Sequence, residues 1–256
     1  MKNISQSDKI YWHKYINFYE NQLPVEANQI LEIGVFKGES IKYWRNRYSE
    51  ANITGIDIID ILPEWPRDNK ISYLKMDQSD VSSYSSYLKS LDYKYDIVIE
   101  DGSHDPLHQK ISLIETINYI NPKGIYILED IHTSHESHNL YQNRLKEFNK
   151  KLSYFKSQKK VLMPLQALLL IEHTKKQGIA IEDLKNINES NSLFTIEELK
   201  MLSDRIDTMH FYKRTTLPEY CYSCKSNDFD YVNLKCSCGV SIFLDADSMT
   251  TVIKLK

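Results

Sequence analysis

The stretch Gln29-Ile-Leu-Glu-Ile-Gly34-Val-Phe-Lys-Gly38-Glu-Ser40 runs from a short apolar segment through a glycine-bounded turn into a polar one. A glycine turn that leaves a buried strand lets a ligand approach backbone that a side chain would block. Four similar apolar runs follow at Asn52–Ile58, Ile71–Lys75, Tyr95–Glu100 and Gly124–Glu129, separated by polar, helix-like segments. Near-continuous apolar strands alternating with helices predict a parallel sheet covered on both faces. Ligands of such doubly wound α/β folds bind beyond the carboxyl ends of the strands.

The turn argues against a dinucleotide. The dinucleotide fingerprint needs small residues where this chain has Phe36 and Glu39. Phe36 hinders close pyrophosphate approach, and Glu39 puts negative charge where a helix N-terminus would attract phosphate. A cofactor without phosphates fits better. Asp57 ends the second run, where an acidic side chain can hold a ribose diol. Met76-Asp77-Gln78-Ser79-Asp80 follows the third, a polar cluster suited to an adenine edge.

The fourth and fifth runs end in Glu100-Asp101-Gly102-Ser103-His104 and Glu129-Asp130-Ile-His132. Asp101, Glu129 and Asp130 should therefore meet at the edge that carries the cofactor turn. Three carboxylates repel one another unless a cation lies between them, and Mg²⁺ with oxygen ligands suits that place. His104, just beyond Asp101, is placed as a general base, although His108, His132, His135 and His138 crowd the same region.

These segments resemble the metal-dependent sugar O-methyltransferases of macrolide tailoring, the macrocin and mycinamicin type. Ser7-Asp-Lys9 to Leu23 is similar to that family's N-terminal motif, and Leu31-Glu-Ile-Gly-Val to its cofactor motif. Asp77-Gln-Ser-Asp80 resembles the adenine-proximal motif, and Asp101-Gly-Ser-His104 with Glu129-Asp130 the metal and base motifs. His210-Phe-Tyr212 and Asp247-Ser-Met249 resemble the C-terminal strand pair, split here by an insertion. Two departures stand out: Glu100 replaces a common aspartate, and residues 133–195 match poorly, which leaves the acceptor unassigned.

The resemblance implies a Rossmann-like class I methyltransferase fold, a mostly parallel seven-stranded sheet with an antiparallel last strand. It implies S-adenosylmethionine held by Glu32, Gly34, Gly38, Asp57, Asp77 and Gln78. Asp101, Glu129 and Asp130 would bind Mg²⁺, and His104 with Asp101 would serve the chemistry. The acceptor would be a hydroxyl of a sugar or glycoconjugate, and a homo-oligomer is compatible. Two other readings stay open. One is the same fold methylating a phenol, an amine or a phosphorylated compound; the other is a non-catalytic cofactor-binding scaffold.

All four cysteines fall in Cys221-Tyr-Ser-Cys224 and Cys236-Ser-Cys238. Disulfide proteins spread their bridges through the fold, whereas this clustering predicts a structural Zn²⁺ site. The expected organisation is a helical cap at 1–28 and a catalytic domain at 29–256. A zinc knuckle at 219–240 would then sit between the last two strands, Thr208–Lys213 and Thr250–Leu255. Within the cap, Lys9 to Leu23 reads as one amphipathic, aromatic-rich helix. Helices are also expected at His138–Leu152 and Met163–Lys176. After a polar loop from Asn186 to Ser192, the capping box Thr195-Ile-Glu-Glu198 opens another helix to about Arg205.

A net charge of −3 gives no reason to expect nucleic acid as a partner. The small lysine clusters at Lys156–Lys160 and Lys175–Lys176 read as solvated faces. Met1 to Lys14 lacks the apolar core of a signal peptide. The longest apolar stretch, Val161–Ile171, is broken by Pro164 and Gln166 and is too short to span a bilayer. A cytoplasmic location without membrane contact is expected.

Overall fold

The computed structural model describes residues 7–152, 158–184, 187–188, 190–244 and 247–256. Lys156 of the first lysine cluster, Asn186 of the polar loop and the first six residues of the cap lie outside these. The first five strands are β1 (Gln29–Ile33), β2 (Asn52–Asp57), β3 (Ile71–Lys75), β4 (Tyr95–Glu100) and β5 (Ile120–Leu128). They are followed by β6 (Ile206–Lys213), the two-residue strands β7 (Phe229–Asp230) and β8 (Lys235–Cys236), and β9 (Met249–Leu255). The main sheet has seven strands in the order β3-β2-β1-β4-β5-β9-β6. β1 to β5 pair in parallel, while β9 runs antiparallel to both β5 and β6. This is the mostly parallel sheet with an antiparallel last strand that the sequence predicts.

The alternation within each apolar run explains why both faces are covered. Leu31, Ile33, Val98, Tyr126 and Leu128 enter one core cluster. Ile30, Ile97, Ile99, Ile125 and Ile127 enter another. Among the described residues, eight α-helices supply the rest: α1 (Asp8–Tyr11), α2 (Tyr15–Glu20), α3 (Glu39–Arg47), α4 (Val81–Lys89), α5 (Pro106–Thr116), α6 (Asn139–Lys151), α7 (Pro164–Gln177) and α8 (Ile196–Arg205). The first face is packed by Tyr84 and Leu88 of α4, Leu113 of α5, Leu168 and Ile171 of α7, and Leu199 and Leu202 of α8. The second takes Tyr15 and Tyr19 from α2 and Ile41 and Trp44 from α3. Each such side chain contributes about 1.5–3 kcal/mol on burial. The expected capping box is present at α8: Thr195 Oγ1 accepts from the Glu198 amide at 3.1 Å, and Glu198 accepts from the Thr195 amide at 2.8 Å.

The cap differs from expectation. Lys9 to Leu23 is two short helices, α1 and α2, interrupted around Lys14, whose φ is 59°. The break turns α1 away from α2, so Tyr11 and Trp12 pack with the cysteine segment while Tyr15 and Tyr19 pack on the sheet. Among the described residues no helix is long and apolar enough to cross a membrane.

Candidate active site

β1 and β4 are spatial neighbours, but the chain leaves them in opposite directions along the sheet, towards β2 and β5. Their carboxyl ends open into a cavity of about 530 Å³. Gly34, Asp57, Asp77, Gln78, Asp101, His104, Glu129 and Asp130 all line it. Glu32 and Gly38 do not.

Gly34 has a φ of +92°, and a Cβ there would lie 2.0 Å from the carbonyl oxygen of Asp101. The missing side chain thus admits the end of β4, rather than a ligand, against the end of β1. Gly38, with φ +74°, starts α3 and faces Trp65 and Pro66. Asp57 braces the turn between these glycines, one carboxylate oxygen accepting from the amides of Val35 and Phe36, each at 2.8 Å.

Gln78 is buried and spent on the protein. Its amide nitrogen donates to Glu100 Oε1 (2.8 Å) and Ser112 Oγ (3.1 Å), and its oxygen accepts from the Ser103 amide (2.9 Å). It props up the loop that carries His104. Asp77 accepts from the Ser79 amide and hydroxyl, which hold its carboxyl below its usual range. Glu32 is fully buried behind the lining, with the Ser40 and Trp44 side chains beside its carboxylate. Burial pushes its pKa up to about 7, against the pull of the Lys9 charge.

The acids of β4 and β5 meet as expected, with an added cation. The ammonium of Lys9, from α1, pairs with Asp101 and, at 2.7 Å, with Glu129 Oε2. The other Glu129 oxygen is buried without a hydrogen-bond partner. Asp130 Oδ1 accepts from the Tyr15 hydroxyl at 2.7 Å. Imidazole nitrogens of His104, His13 and His132 lie 3.6, 3.8 and 3.9 Å from its carboxylate. Burial alone would raise the Asp130 pKa, but these three rings hold it well below the carboxylate range. Asp101 and Glu129 move the other way, raised by burial in spite of Lys9.

His104 stands between Asp101 (Nδ1 to Oδ1, 4.0 Å) and Asp130 (Nε2 to Oδ2, 3.6 Å). Burial lowers its pKa, but the two carboxylates more than compensate and it is raised overall. His104 and Asp130 both have left-handed backbone, φ 57° and 48°. Strain of this kind costs about 1–3 kcal/mol per residue and concentrates at functional sites.

The other histidines sort themselves. His108 bonds Ser103 Oγ at 2.8 Å on the cavity rim, His135 pairs with Ser137, and His138 caps α6. Donor atoms of Asp101, His104 and Asp130 lie within 4.8 Å of one another. Glu129, the third ligand expected from the sequence, is turned towards Lys9 instead. Lys9, His13 and Tyr15 are site residues that the sequence reading left in the cap. The only sign of them was Ser7-Asp-Lys9, quoted as part of a motif but given no role.

No family model matches the chain. A 2'-O-methyltransferase of 8-demethyl-8-alpha-L-rhamnosyl tetracenomycin-C from Streptomyces olivaceus is 30% identical over 139 residues, 50% of this chain and 36% of that protein. The mycinamicin VI 2''-O-methyltransferase of Micromonospora griseorubida is 28% identical over 49% of this chain and 31% of its own length. The demethylmacrocin O-methyltransferase of Streptomyces fradiae is 27% identical over 49% of this chain and 32% of its own. The resemblance drawn from the motifs is borne out by these relatives, although the chain spans only about a third of their length.

Among solved structures, the MycE methyltransferase of the mycinamycin pathway, in complex with Mg, SAH and mycinamycin VI, superposes with a TM-score of 0.50. Identity is 21%, over 78% of this chain and 45% of that one. The fold is that of a class I methyltransferase. Asp101, Glu129 and Asp130 line the cavity beyond the carboxyl ends of β1 and β4.

Proposed function

We propose that the chain is an S-adenosylmethionine-dependent O-methyltransferase that uses a divalent cation, Mg²⁺ for preference, to methylate a sugar hydroxyl. The observation that carries this reading is the charge balance of the cluster. With Asp101, Glu129 and Asp130 all ionised, Lys9 would offset one of three negative charges; without a further cation, burial instead raises the pKa of Asp101 and Glu129. One Glu129 oxygen there also lacks a partner. A divalent cation answers both needs; Asp101 and Asp130 would hold it, with Glu129 joining them once released from Lys9. When bound it would lower the cost of alkoxide charge developing on the acceptor.

The cofactor reading rests on the cavity. Asp57 lines the cavity, and among the described residues its second carboxylate oxygen accepts from the Ile59 amide alone, at 3.2 Å. Ile58 and Met76 add apolar lining beside Asp77, as an adenine ring would require. The Gly34–Gly38 turn would pass close to the methionine part, with Glu32 beneath it. In the reaction the acceptor oxygen attacks the sulfonium methyl. The carbon–sulfur bond breaks, leaving S-adenosylhomocysteine, and His104 takes the hydroxyl proton. Asp101 and Asp130 stabilise the imidazolium so formed.

Lys9 favours a second reading, in which its ammonium neutralises the carboxylates alone and no divalent ion is needed. Calorimetry with S-adenosylmethionine, with and without Mg²⁺, followed by turnover on deoxysugar glycosides in EDTA, separates the two. Metal-stimulated turnover supports the first reading. Unchanged turnover in EDTA leaves only the second, and NAD binding in place of S-adenosylmethionine removes both.

A further inference from the structure

The cysteine segment leaves β6 and returns at β9, yet it does not pack as a free appendage. Its small core contains Cys221, Cys236 and Ile242, and is completed by Tyr11 and Trp12 from α1. Tyr11 stacks on Tyr220 at 4.3 Å, and Trp12 meets Tyr222 edge-on at 4.9 Å. The Glu219 amide donates to the Tyr11 carbonyl at 2.9 Å, and Lys225 donates to the Tyr11 hydroxyl. Buried Arg214 ties the two ends of the segment together through the Thr216 and Ile242 carbonyls and the Asp247 carboxylate, and lies over the Trp12 ring. The same α1 carries Lys9 into the acidic cluster.

Inside the segment the four thiols converge. All four Sγ atoms lie within 4.8 Å of one another, with Cys221–Cys238 at 3.7 Å and Cys224–Cys236 at 3.4 Å. A tetrahedral Zn²⁺ with Zn–S bonds of about 2.3 Å requires sulfur–sulfur separations of roughly 3.8 Å. Each cysteine pair is followed by a left-handed residue, Lys225 (φ 62°) and Gly239 (φ 90°), which turns the chain back around the thiols. The local sheet is only two residues per strand, too little to hold this geometry without a staple.

The segment also faces a second cavity, of about 400 Å³, which shares Asp8, His13 and Asp130 with the first. Trp12, Tyr222, Val240 and Leu244 give it aromatic and apolar lining, and His132 and Asp247 add imidazole and carboxylate. Such a mixed lining suits a sugar, which offers both C–H surface and hydroxyls.

We propose that Cys221, Cys224, Cys236 and Cys238 bind one Zn²⁺, and that the zinc-braced module pins α1 over the cofactor cavity while forming the outer wall of the acceptor cavity. Zinc does no chemistry here; it fixes where Lys9 and the acceptor wall stand. The zinc and pinning claims are independent of the methyltransferase reading, whereas the acceptor wall rests on it.

The test uses the full chain, with zinc extracted by an organomercurial thiol reagent and then restored. A Cys224→Ser/Cys238→Ser variant is run alongside, because both thiols are exposed. The expected result is one Zn²⁺ per chain by elemental analysis. On extraction, hydrogen-exchange protection should fall at residues 8–13 and 217–244 but stay high in β1, β4 and β5, and should return with zinc. S-adenosylhomocysteine binding should weaken by about tenfold if only one molecule in ten keeps α1 docked. A folded chain with no zinc and four reactive thiols overturns the site. Zinc loss that leaves protection of 8–13 unchanged overturns the pinning. If protection responds to zinc but S-adenosylhomocysteine never binds, the proposed activity fails while the zinc module stands.

Discussion

Replacing Lys9 with Met tests the charge balance directly. The side chain is 4% exposed and its ammonium serves both Asp101 and Glu129, so its loss leaves buried Glu129 and half-buried Asp101 without their cation. Breaking a buried ion pair from one side costs about 3–5 kcal/mol. For a chain of this size each kcal/mol moves the melting temperature by roughly 2–4 °C, giving a loss on the order of 6–20 °C in EDTA. Losing one positive charge beside three carboxylates strengthens the cluster's demand for a divalent ion. Binding at a hundred times the Kd returns about 2.7 kcal/mol, and the variant should bind Mg²⁺ more tightly than the wild type. Melting curves of both proteins in EDTA and across a Mg²⁺ series measure this. The gap between them should narrow as Mg²⁺ rises. An equal gap in EDTA and in saturating Mg²⁺ would refute the reasoning, since the carboxylates would then need no ion beyond Lys9. If α1 merely peels away, hydrogen exchange at residues 8–13 will report it, and the loss will be smaller than the global figure.

His104→Ala should cut turnover by roughly 10²–10⁴ and leave S-adenosylhomocysteine affinity near that of the wild type; a raised KM with unchanged kcat would make His104 a positioning residue instead. Gly34→Ala should destabilise the fold by at least about 1–3 kcal/mol, because it adds left-handed strain to a clash with the Asp101 carbonyl, and urea unfolding will show whether it does. Glu32 holds its proton up to about pH 7 in the folded chain, whereas the unfolded carboxyl releases it near 4.5. The folded state therefore binds more protons in that window, and stability should fall as pH rises from about 4.5 to 7 and level off above, by about 3 kcal/mol at most from this group. Glu32→Gln should flatten that slope in urea midpoints taken between pH 5 and 8; parallel slopes would sink the assignment.

The fold was largely legible in the sequence because β1, β2, β4 and the Gly124–Leu128 part of β5 are mostly buried, and such strands write themselves as near-continuous apolar runs. β6 and β9 were legible as β-rich runs, and they pair antiparallel in the sheet. The cap was misread because aromatic spacing reports burial and not continuity. Tyr11 and Tyr15 are both buried, but against different partners on either side of the break near Lys14. Gln78 looked like a cofactor contact because polar residues after a strand face the ligand edge; in the fold its amide is absorbed by Glu100, Ser112 and Ser103.

Lys9 exposes the limit of local pattern most clearly. Its partners lie 92 and 120 residues along the chain, so no spacing rule connects them. What the sequence did supply was the direction of each strand. Parallel β4 and β5 must end on the same side, and that alone forces Asp101, Glu129 and Asp130 into one place. Once three carboxylates are fixed there by topology, their charge must be met by a cation or by protonation, and the sequence leaves the source open. The fold answers part of it with Lys9, delivered by a segment that the sheet does not hold. It is the cysteine module that grips α1 through Tyr11 and Trp12. The stability of that module therefore governs how well the acidic cluster is neutralised. On this argument a protein stripped of zinc should behave in part like Lys9→Met, with the same enhanced response of its melting temperature to Mg²⁺. A zinc-free protein whose Mg²⁺ response matches that of the intact chain would break the link between the two sites.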